Sequence, residues 1–140
     1  MLARATAAEK VLADLAGLVH GTLALAGSQT VANYWLPPLI ERYRALYPGV
    51  SVSLAIGNSD FVTALVQEVA PDLGFIEGDV DAPVLAAAPV ADDEMVLVAP
   101  VTHRWHWRAP ASAAELAEGP WVLREPGSGT RAVVERALQQ

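Results

Sequence analysis

The sequence contains no cysteine among its 140 residues. Disulfide bonds, thiolate catalysis and cysteine-ligated zinc are therefore excluded for this chain. Charged residues are also few, 18% against 53% hydrophobic residues. This balance excludes an intrinsically disordered tail, because disorder requires low hydrophobicity and high net charge. No stretch of about 18 residues is free of polar residues and chain breakers, so the sequence predicts no transmembrane helix and no membrane partner.

Positive charge is scarce in the middle of the chain. Lys and Arg are both absent between Ala45 and His103. With a formal net charge of −7, the chain lacks a basic surface for nucleic acid, and neither flank predicts a helix-turn-helix. The N-terminus shows no signal-peptide pattern, so we expect a cytoplasmic protein. The interval without Lys or Arg contains nine acidic residues: Asp60, Glu68, Asp72, Glu77, Asp79, Asp81, Asp92, Asp93 and Glu94.

Strand and helix patterns alternate along the first half of the chain. Short apolar or alternating runs predict strands at 22–26, 50–56 and 72–76. Between them, helical spacing of apolar residues predicts helices at 31–47 and from about 59 to 69. The order β-α-β-α-β predicts an α/β fold with parallel strands.

Further elements flank this core. Leucine and valine recur at helical spacing over 3–18, which predicts a helix there. Pro37 and Pro38 predict an irregular first turn in the helix at 31–47, regular from about Pro37. Ser59 or Asp60 is expected to cap the next helix. After the core, the pattern predicts strands at 85–90, 95–99 and 121–123, and helices at 111–118 and 130–140.

Four loops, at 27–30, 57–59, 77–78 and 127–130, follow predicted strands. Ligands of open α/β sheets bind beyond the carboxyl ends of the strands. Free N–H groups and the helix dipole favour a carboxylate, phosphate or sulfate there. For any one loop, the alternative is that its Ser or Thr only caps a helix. The candidate ligand-binding residues are Ser28, Gln29, Thr30, Asn58, Ser59, Gly127, Ser128, Gly129 and Thr130.

Other motifs predict no catalysis. The stretch 127–132 (GSGTRA) matches the dinucleotide fingerprint, but the chain has no room for the confirming acidic residue about 20 positions later, so we interpret it as a false match. Neither Ser28 nor Ser128 lies in a G-x-S-x-G motif or has a base nearby in sequence. The acidic run at 92–94 is interpreted as a solvated turn. The sequence therefore predicts a protein that is not an enzyme and carries no cofactor.

The histidines also predict no metal site. His103 and His106 are three residues apart in a predicted loop, among tryptophans and arginines, with no carboxylate nearby in sequence. This pattern favours an exposed aromatic and basic segment that contacts a partner.

In this order, the loops and their flanks closely resemble the effector-sensing part of LysR-type transcriptional regulators. The resemblance covers nearly the whole chain, and the ordered set is far more specific than any single piece. Its stretches are LVHGTLALA (18–26), SQT (28–30), NYWLPPL (33–39), YPGV (47–50), GNS (57–59), PDLGF (71–75), DEMVLVAP (93–100), WVLRE (121–125) and PGSGTR (126–131).

The resemblance implies a two-lobed fold like that of type II periplasmic binding proteins, with a small-molecule effector in the cleft between the lobes. Residues 1–20 then match the end of a linker helix, 21–100 the first lobe, and 101–140 the start of the second lobe. A hinge is expected at Pro100-Val101, where the predicted strand 95–99 ends. DNA would be contacted only through a helix-turn-helix domain that has no match in this chain.

The resemblance also implies a site and an assembly. Ser28 and Thr30, joined by Asn58, are expected to contact the anionic or polar end of the effector. Apolar stripes predict a two-fold homodimer with the N-terminal helix or the helix at 37–47 at the contact. The alternative is that residues 3–18 fold back on their own lobe. The alternative function is a solute-binding protein of a transport system with the same fold.

Overall fold

The computed structural model describes residues 20–80, 82–108 and 112–139. Three strands form one parallel sheet in the order β2-β1-β3. They are β1 (Gly21–Ser28), β2 (Val50–Gly57) and β3 (Leu73–Phe75). Both pairings of β1 are parallel, which confirms the predicted α/β class and the β-α-β-α-β order of the core. The helix predicted over 3–18 lies outside the described residues.

The first crossover contains the irregularity that the prolines predict. A π-helical segment (Val31–Trp35) leads directly into helix α1 (Leu36–Leu46), whose first turn holds Pro37 and Pro38. Proline has no N–H to donate to the preceding turn, so a regular α-helical hydrogen-bond pattern cannot run through Pro37 and Pro38. The second crossover is helix α2 (Ser59–Gln67). Three later helices follow: α3 (Arg104–Trp107), α4 (Ala113–Ala117) and α5 (Gly129–Leu138).

The core lies around β1, the central strand, whose last four residues are buried. Leu36 of α1 and Val62 of α2 are among the largest fully buried side chains. Burying each contributes about 1.5–3 kcal/mol of hydrophobic stabilisation. At Gly74 of β3, a Cβ atom would approach Val62 within 3.0 Å, so the absence of a side chain lets α2 pack closely on the sheet. This packing brings the carboxyl ends of β1 and β2 and the start of α2 to one edge of the sheet.

The strands predicted at 85–90, 95–99 and 121–123 are not formed, so those predictions were wrong. A strand needs a neighbour to satisfy its N–H and C=O groups. Among the described residues, the sheet contains only β1, β2 and β3, and none of these three runs joins it. An apolar pattern indicates only that a run favours burial. Whether the run forms a strand depends on whether another strand lies beside it.

Two local predictions also need correction. His103 and His106 were expected in a loop, but His103 caps α3 and His106 lies within it. The ring Nδ1 of His103 accepts a hydrogen bond from the Trp105 backbone N–H at 3.2 Å, which favours the short helix. Helix α2 is capped by Asn58 rather than by Ser59 or Asp60, because Asn58 has the extended backbone that a capping residue needs.

Candidate ligand site

Ser28 ends β1 and is only 2% exposed. Its Oγ has no hydrogen-bond partner among the described residues. A buried hydroxyl without a partner costs about 1–3 kcal/mol. In the strand register Ser28 lies beside Gly57, which precedes Asn58 at the end of β2. The sheet thus places an uncommitted hydroxyl at the edge where the sequence predicts a ligand.

Thr30 follows at the start of the π-helical segment. It stands at the capping position, but its side chain makes no capping hydrogen bond. The first N–H groups of a helix have no partner within the helix and can bind an anion. Gln29, between the two hydroxyls, is exposed. Helix capping therefore does not explain the hydroxyl side chains at positions 28 and 30.

Asn58 and Ser59 are engaged with the loop before α5. Asn58 Oδ1 accepts from the Phe61 N–H at 2.9 Å, and its Nδ2 donates to the Pro126 carbonyl at 3.3 Å. The Asp60 N–H donates to the Gly127 carbonyl at 3.1 Å. Ser59 is buried, and its Oγ accepts from the Gly129 N–H at 3.1 Å. We call these contacts between 58–60 and 126–129 the clamp.

The glycines of the clamp permit this close approach. Gly127 has a φ of +86°, a conformation that favours glycine, and a Cβ there would lie 2.8 Å from Asp60 Oδ2. A Cβ on Gly129 would meet the Glu77 carbonyl and lie 2.6 Å from Ser59 Oγ. Both glycines are therefore explained by packing against 58–60 and Glu77. Thr130 follows them in the first turn of α5, half-buried.

A cavity of about 290 Å³ adjoins the clamp. Its walls are Ser59 and Asp60, the loop 77–79, residues 126–129 and one side of α5. Its two arginines are both ion-paired, Arg131 with Glu135 at 2.7 Å and Arg136 with Asp79. Because these pairs neutralise its positive charge, the cavity is poorly suited to a small anion.

The candidate residues therefore divide between two places. Ser59, Gly127, Ser128 and Gly129 line the cavity, whereas the segment 28–30 does not. Ser128 is 5% exposed and precedes α5 without a side-chain capping bond. The hydroxyls of Ser28, Thr30 and Ser128 are thus not used as caps. Sequence reasoning missed the Pro126 carbonyl and the Asp60 N–H, since main-chain groups leave no residue signal.

Arg124 and Glu125 form an ion pair just before the clamp. Arg124 Nε donates to Glu125 Oε2 at 2.9 Å, and a second nitrogen of the same guanidinium donates to Oε1 at 2.9 Å. This hydrogen bonding lowers the pKa of Glu125 to about 2 and raises the pKa of Arg124. The pKa of Glu125 therefore lies well below its ordinary value, and the carboxylate is ionised at neutral pH.

The described residues contain no group of three or more His, Asp or Glu side chains arranged to hold a metal ion. Over the same residues, the helices are all too short or too polar to cross a membrane.

The comparisons match this chain to transcription regulators and also to a transport protein. Residues 16–140 match the family model of the LysR substrate binding domain. The chain is 40% identical over 119 residues to the uncharacterized HTH-type transcriptional regulator YeiE of Escherichia coli K12, covering 85% of this chain and 40% of that protein. It is also 45% identical over 119 residues to the phosphonates import ATP-binding protein PhnC of Anaeromyxobacter dehalogenans, covering 84% and 24%.

Among solved structures, the chain is similar to the CcmR regulatory domain of Synechocystis PCC6803 in complex with 2-PG. The TM-score is 0.74 at 28% identity, covering 86% of this chain and 57% of that one. This likeness confirms the α/β, periplasmic-binding-protein-like fold class predicted from the resemblance. The chain spans less than half the length of YeiE and PhnC.

Proposed function

Because the chain belongs to the LysR substrate-binding domain family, we propose that it is the effector-sensing module of a ligand-controlled transcription regulator in the cytoplasm. Its similarity to an HTH-type regulator and to a regulatory domain solved with 2-PG supports this function. DNA would be contacted by a helix-turn-helix domain outside these 140 residues. The module itself senses and does not catalyse.

The unpartnered, buried hydroxyl of Ser28 is the observation that carries the proposal. A small anionic or polar effector would supply the hydrogen bond that Ser28 lacks and accept a second one from Thr30. The N–H groups of the helical turn after β1 would add their partial positive charge. Asn58 would hold the neighbouring backbone in place rather than offer its amide to the effector. That amide already caps α2 and donates to the Pro126 carbonyl. Ser128 and Thr130 would approach the effector from the start of α5.

The same arrangement suggests how binding becomes a signal. The clamp joins the end of β2 to the segment before α5, so both border the ligand edge of the sheet. An effector held by Ser28 would shift the balance between two arrangements of 21–100 and 101–140 about a hinge at Pro100-Val101. In an intact regulator, this shift would alter the DNA-binding arms.

Paired substitutions test the site. Small carboxylates, amino acids and oxyanions are screened by thermal shift, and the best binder is then titrated by calorimetry. Ser28→Ala with Thr30→Ala should weaken binding by about 1.5–3 kcal/mol for each lost hydrogen bond to a charged group. The matched control is Thr22→Ala with Ser53→Ala, two exposed positions of β1 and β2. Equal affinity of both folded double variants would refute the site.

A second candidate is a component of a transport system, favoured by the 45% identity to PhnC. The two functions predict different coding sequences in frame with this one. An in-frame helix-turn-helix upstream of Met1 would establish the regulator, whereas a secretion signal or an ATPase domain in frame would favour transport.

We also propose that α1 forms a two-fold contact between copies. Its apolar stripe is only partly covered, with Leu39 43% and Leu46 64% exposed, and the neighbouring Tyr47 is 40% exposed. The N-terminal stretch 3–18 is the alternative contact. Light scattering at micromolar concentration should show a dimer that Leu39→Glu with Leu46→Glu weakens. A wild-type particle of one chain's mass would exclude the dimer.

A further inference from the structure

Helix α3 is capped by the ring of a histidine. The backbone of His103 is extended, with a φ of −75° and a ψ of 146°, and its Nδ1 accepts a hydrogen bond from the Trp105 N–H at 3.2 Å. A capping side chain has to offer an acceptor to the N–H groups of the first turn. In the described helices, the side chains of Asn58, His103 and Ser112 do so. Of these three, only the imidazole changes its charge between about pH 5 and 8.

His103 also belongs to the turn that precedes the helix. Its N–H donates to the Pro100 carbonyl at 2.8 Å, and its own carbonyl accepts from the His106 N–H at 2.9 Å. The ring lies edge-on against the Trp105 indole, with the two ring centroids 4.7 Å apart. A change at the ring would therefore act on the turn, on the start of α3 and on Trp105.

Trp105 connects α3 to the residues that follow α4. Its ring centroid lies 6.3 Å from that of Trp121, and a Cβ on Gly119 would lie 2.8 Å from its Cη2 atom. Trp121 in turn donates its indole N–H to the Leu116 carbonyl at 2.8 Å. Trp105 is therefore held by His103 on one side and by α4 and the residues after it on the other.

The charges around the ring come from α3 and from the stretch packed against Trp105. Their charged and titratable residues are Arg104, His106, Arg108, Glu115 and Glu118. The guanidinium carbon of Arg104 lies 5.6 Å from the centroid of the Trp105 ring, and Arg108 pairs with Glu115 at 3.7 Å. None of the ion pairs between described residues includes His103. A proton on the His103 ring would thus act through the capping bond.

We propose that His103 is a pH-sensitive cap, which holds the turn after Pro100 and the start of α3 in its neutral form and releases them when protonated. A protonated imidazole has a hydrogen on both nitrogens and accepts no hydrogen bond. Its charge would also face the N–H groups at the start of the helix, where positive charge is unfavourable. The capping bond is therefore complete above the range in which histidine titrates and is lost as the pH falls through that range.

The position of the cap gives it a role in the proposed function. The turn directly follows Pro100-Val101, so the proposed hinge would be held at this end in the neutral form only. This step rests on the proposed function. The cap itself does not depend on the effector, so it is tested on the chain without any ligand.

NMR titration of the wild-type chain tests the cap, from about pH 8 to 5, where histidine changes charge. The Cα shifts of 104–107 report the helix, the Trp105 N–H shift reports the hydrogen bond, and the ring carbons of His103 report its protonation. All three should change with one midpoint. The ratio of helical to non-helical α3 should fall about fivefold, the effect of losing a cap of typical strength. A ring that titrates while the shifts of 104–107 stay constant would overturn the proposal.

Two substitutions separate the cap from other titrating groups. His103→Asn keeps an acceptor at the capping position but does not titrate, so 104–107 should stay helical over the whole pH range. His106→Gln is the matched control, because His106 is an exposed histidine of the same helix and is not its cap. It should respond to pH as the wild-type chain does. A wild-type response in His103→Asn, or its loss in His106→Gln, would show that another group is responsible.

Discussion

At the scale of single residues, Ser28 and Ser59 show what the sequence could and could not predict. Both are small hydroxyl residues at the end of a strand, and both were predicted as ligand contacts for that reason. In the structure Ser59 Oγ accepts from the Gly129 N–H, a partner 70 residues away in sequence, whereas Ser28 Oγ has no partner. The residue types therefore indicate one edge of the sheet, at the carboxyl ends of β1 and β2, and the ligand site there stays a prediction. Which of the two serines finds a hydrogen-bond partner depends on the position of the loop at 126–129. No local sequence pattern specifies that position.

Gly129 should be intolerant of any side chain. In Gly129→Ala, the new Cβ would meet the Glu77 carbonyl and Ser59 Oγ, so the clamp must open to admit it. We expect urea denaturation to show a loss of about 1–3 kcal/mol, as for other overpacked sites. Gly21→Ala is the control, because nothing lies within 4 Å of its Cβ position. Its change should stay within about 0.5 kcal/mol, and an equal loss in both variants would contradict the packing role.

Glu125 should titrate far below an ordinary glutamate. Its pKa of about 2 arises first from the hydrogen bonds of Arg124. Since the folded pKa is lowered, the stabilising contribution of the pair is complete above the ordinary pKa of 4.5 and is lost as pH falls towards 2. NMR titration of the carboxyl carbon should show this midpoint, and Arg124→Gln should move it back towards 4.5. A wild-type midpoint near 4.5 would mean that the pair does not persist in solution.

At the scale of elements, the sequence predicted what is local. The irregular turn before α1, the strands of the sheet, and helices α2 and α5 follow from apolar spacing, prolines and turn residues close in sequence. The run at 95–99 has the same apolar character as β1, yet it forms no strand in the described structure. β1 has neighbours on both sides, which arrive after the crossovers through α1 and α2. The run at 95–99 has none, and pairing is not encoded in the run itself.

Asn58 should matter to two elements at once. Asn58→Ala removes the cap of α2 and the bond to Pro126, so we expect a loss of about 1–2 kcal/mol in the free energy of unfolding. The same change at Asn33 is a matched control, since Asn33 is exposed in the π-helical segment. Denaturation of both variants gives the two free energies of unfolding to be compared. If Asn58→Ala is as stable as Asn33→Ala, the clamp contributes nothing measurable through this side chain.

At the scale of the whole molecule, the features that the sequence did not predict are mostly contacts between distant parts of the chain. The ordered loops predicted the family, which the family match confirms, and the element order predicted the parallel sheet, which the pairings of β1 confirm. The clamp and the cavity unite residues near 58, 77 and 127, which only the folded chain brings together. The ion pair between Arg136 and Asp79 adds a further link, but both partners are largely exposed. Such surface pairs contribute about 0–1 kcal/mol, so the hydrogen bonds of the clamp contribute more to this junction.

The stretch 83–101 should be the first described part of the chain that a protease cuts. It contains no helix or strand, and Val84, Val90, Val96 and Val98 are all at least 65% exposed. Exposed segments without backbone hydrogen bonds enter a protease site with little local unfolding. Brief digestion with a broad-specificity protease, read by mass spectrometry, should place the earliest cuts there rather than in 21–75 or 126–138. Early cuts within β1 or α2 would contradict the assignment of the stable core.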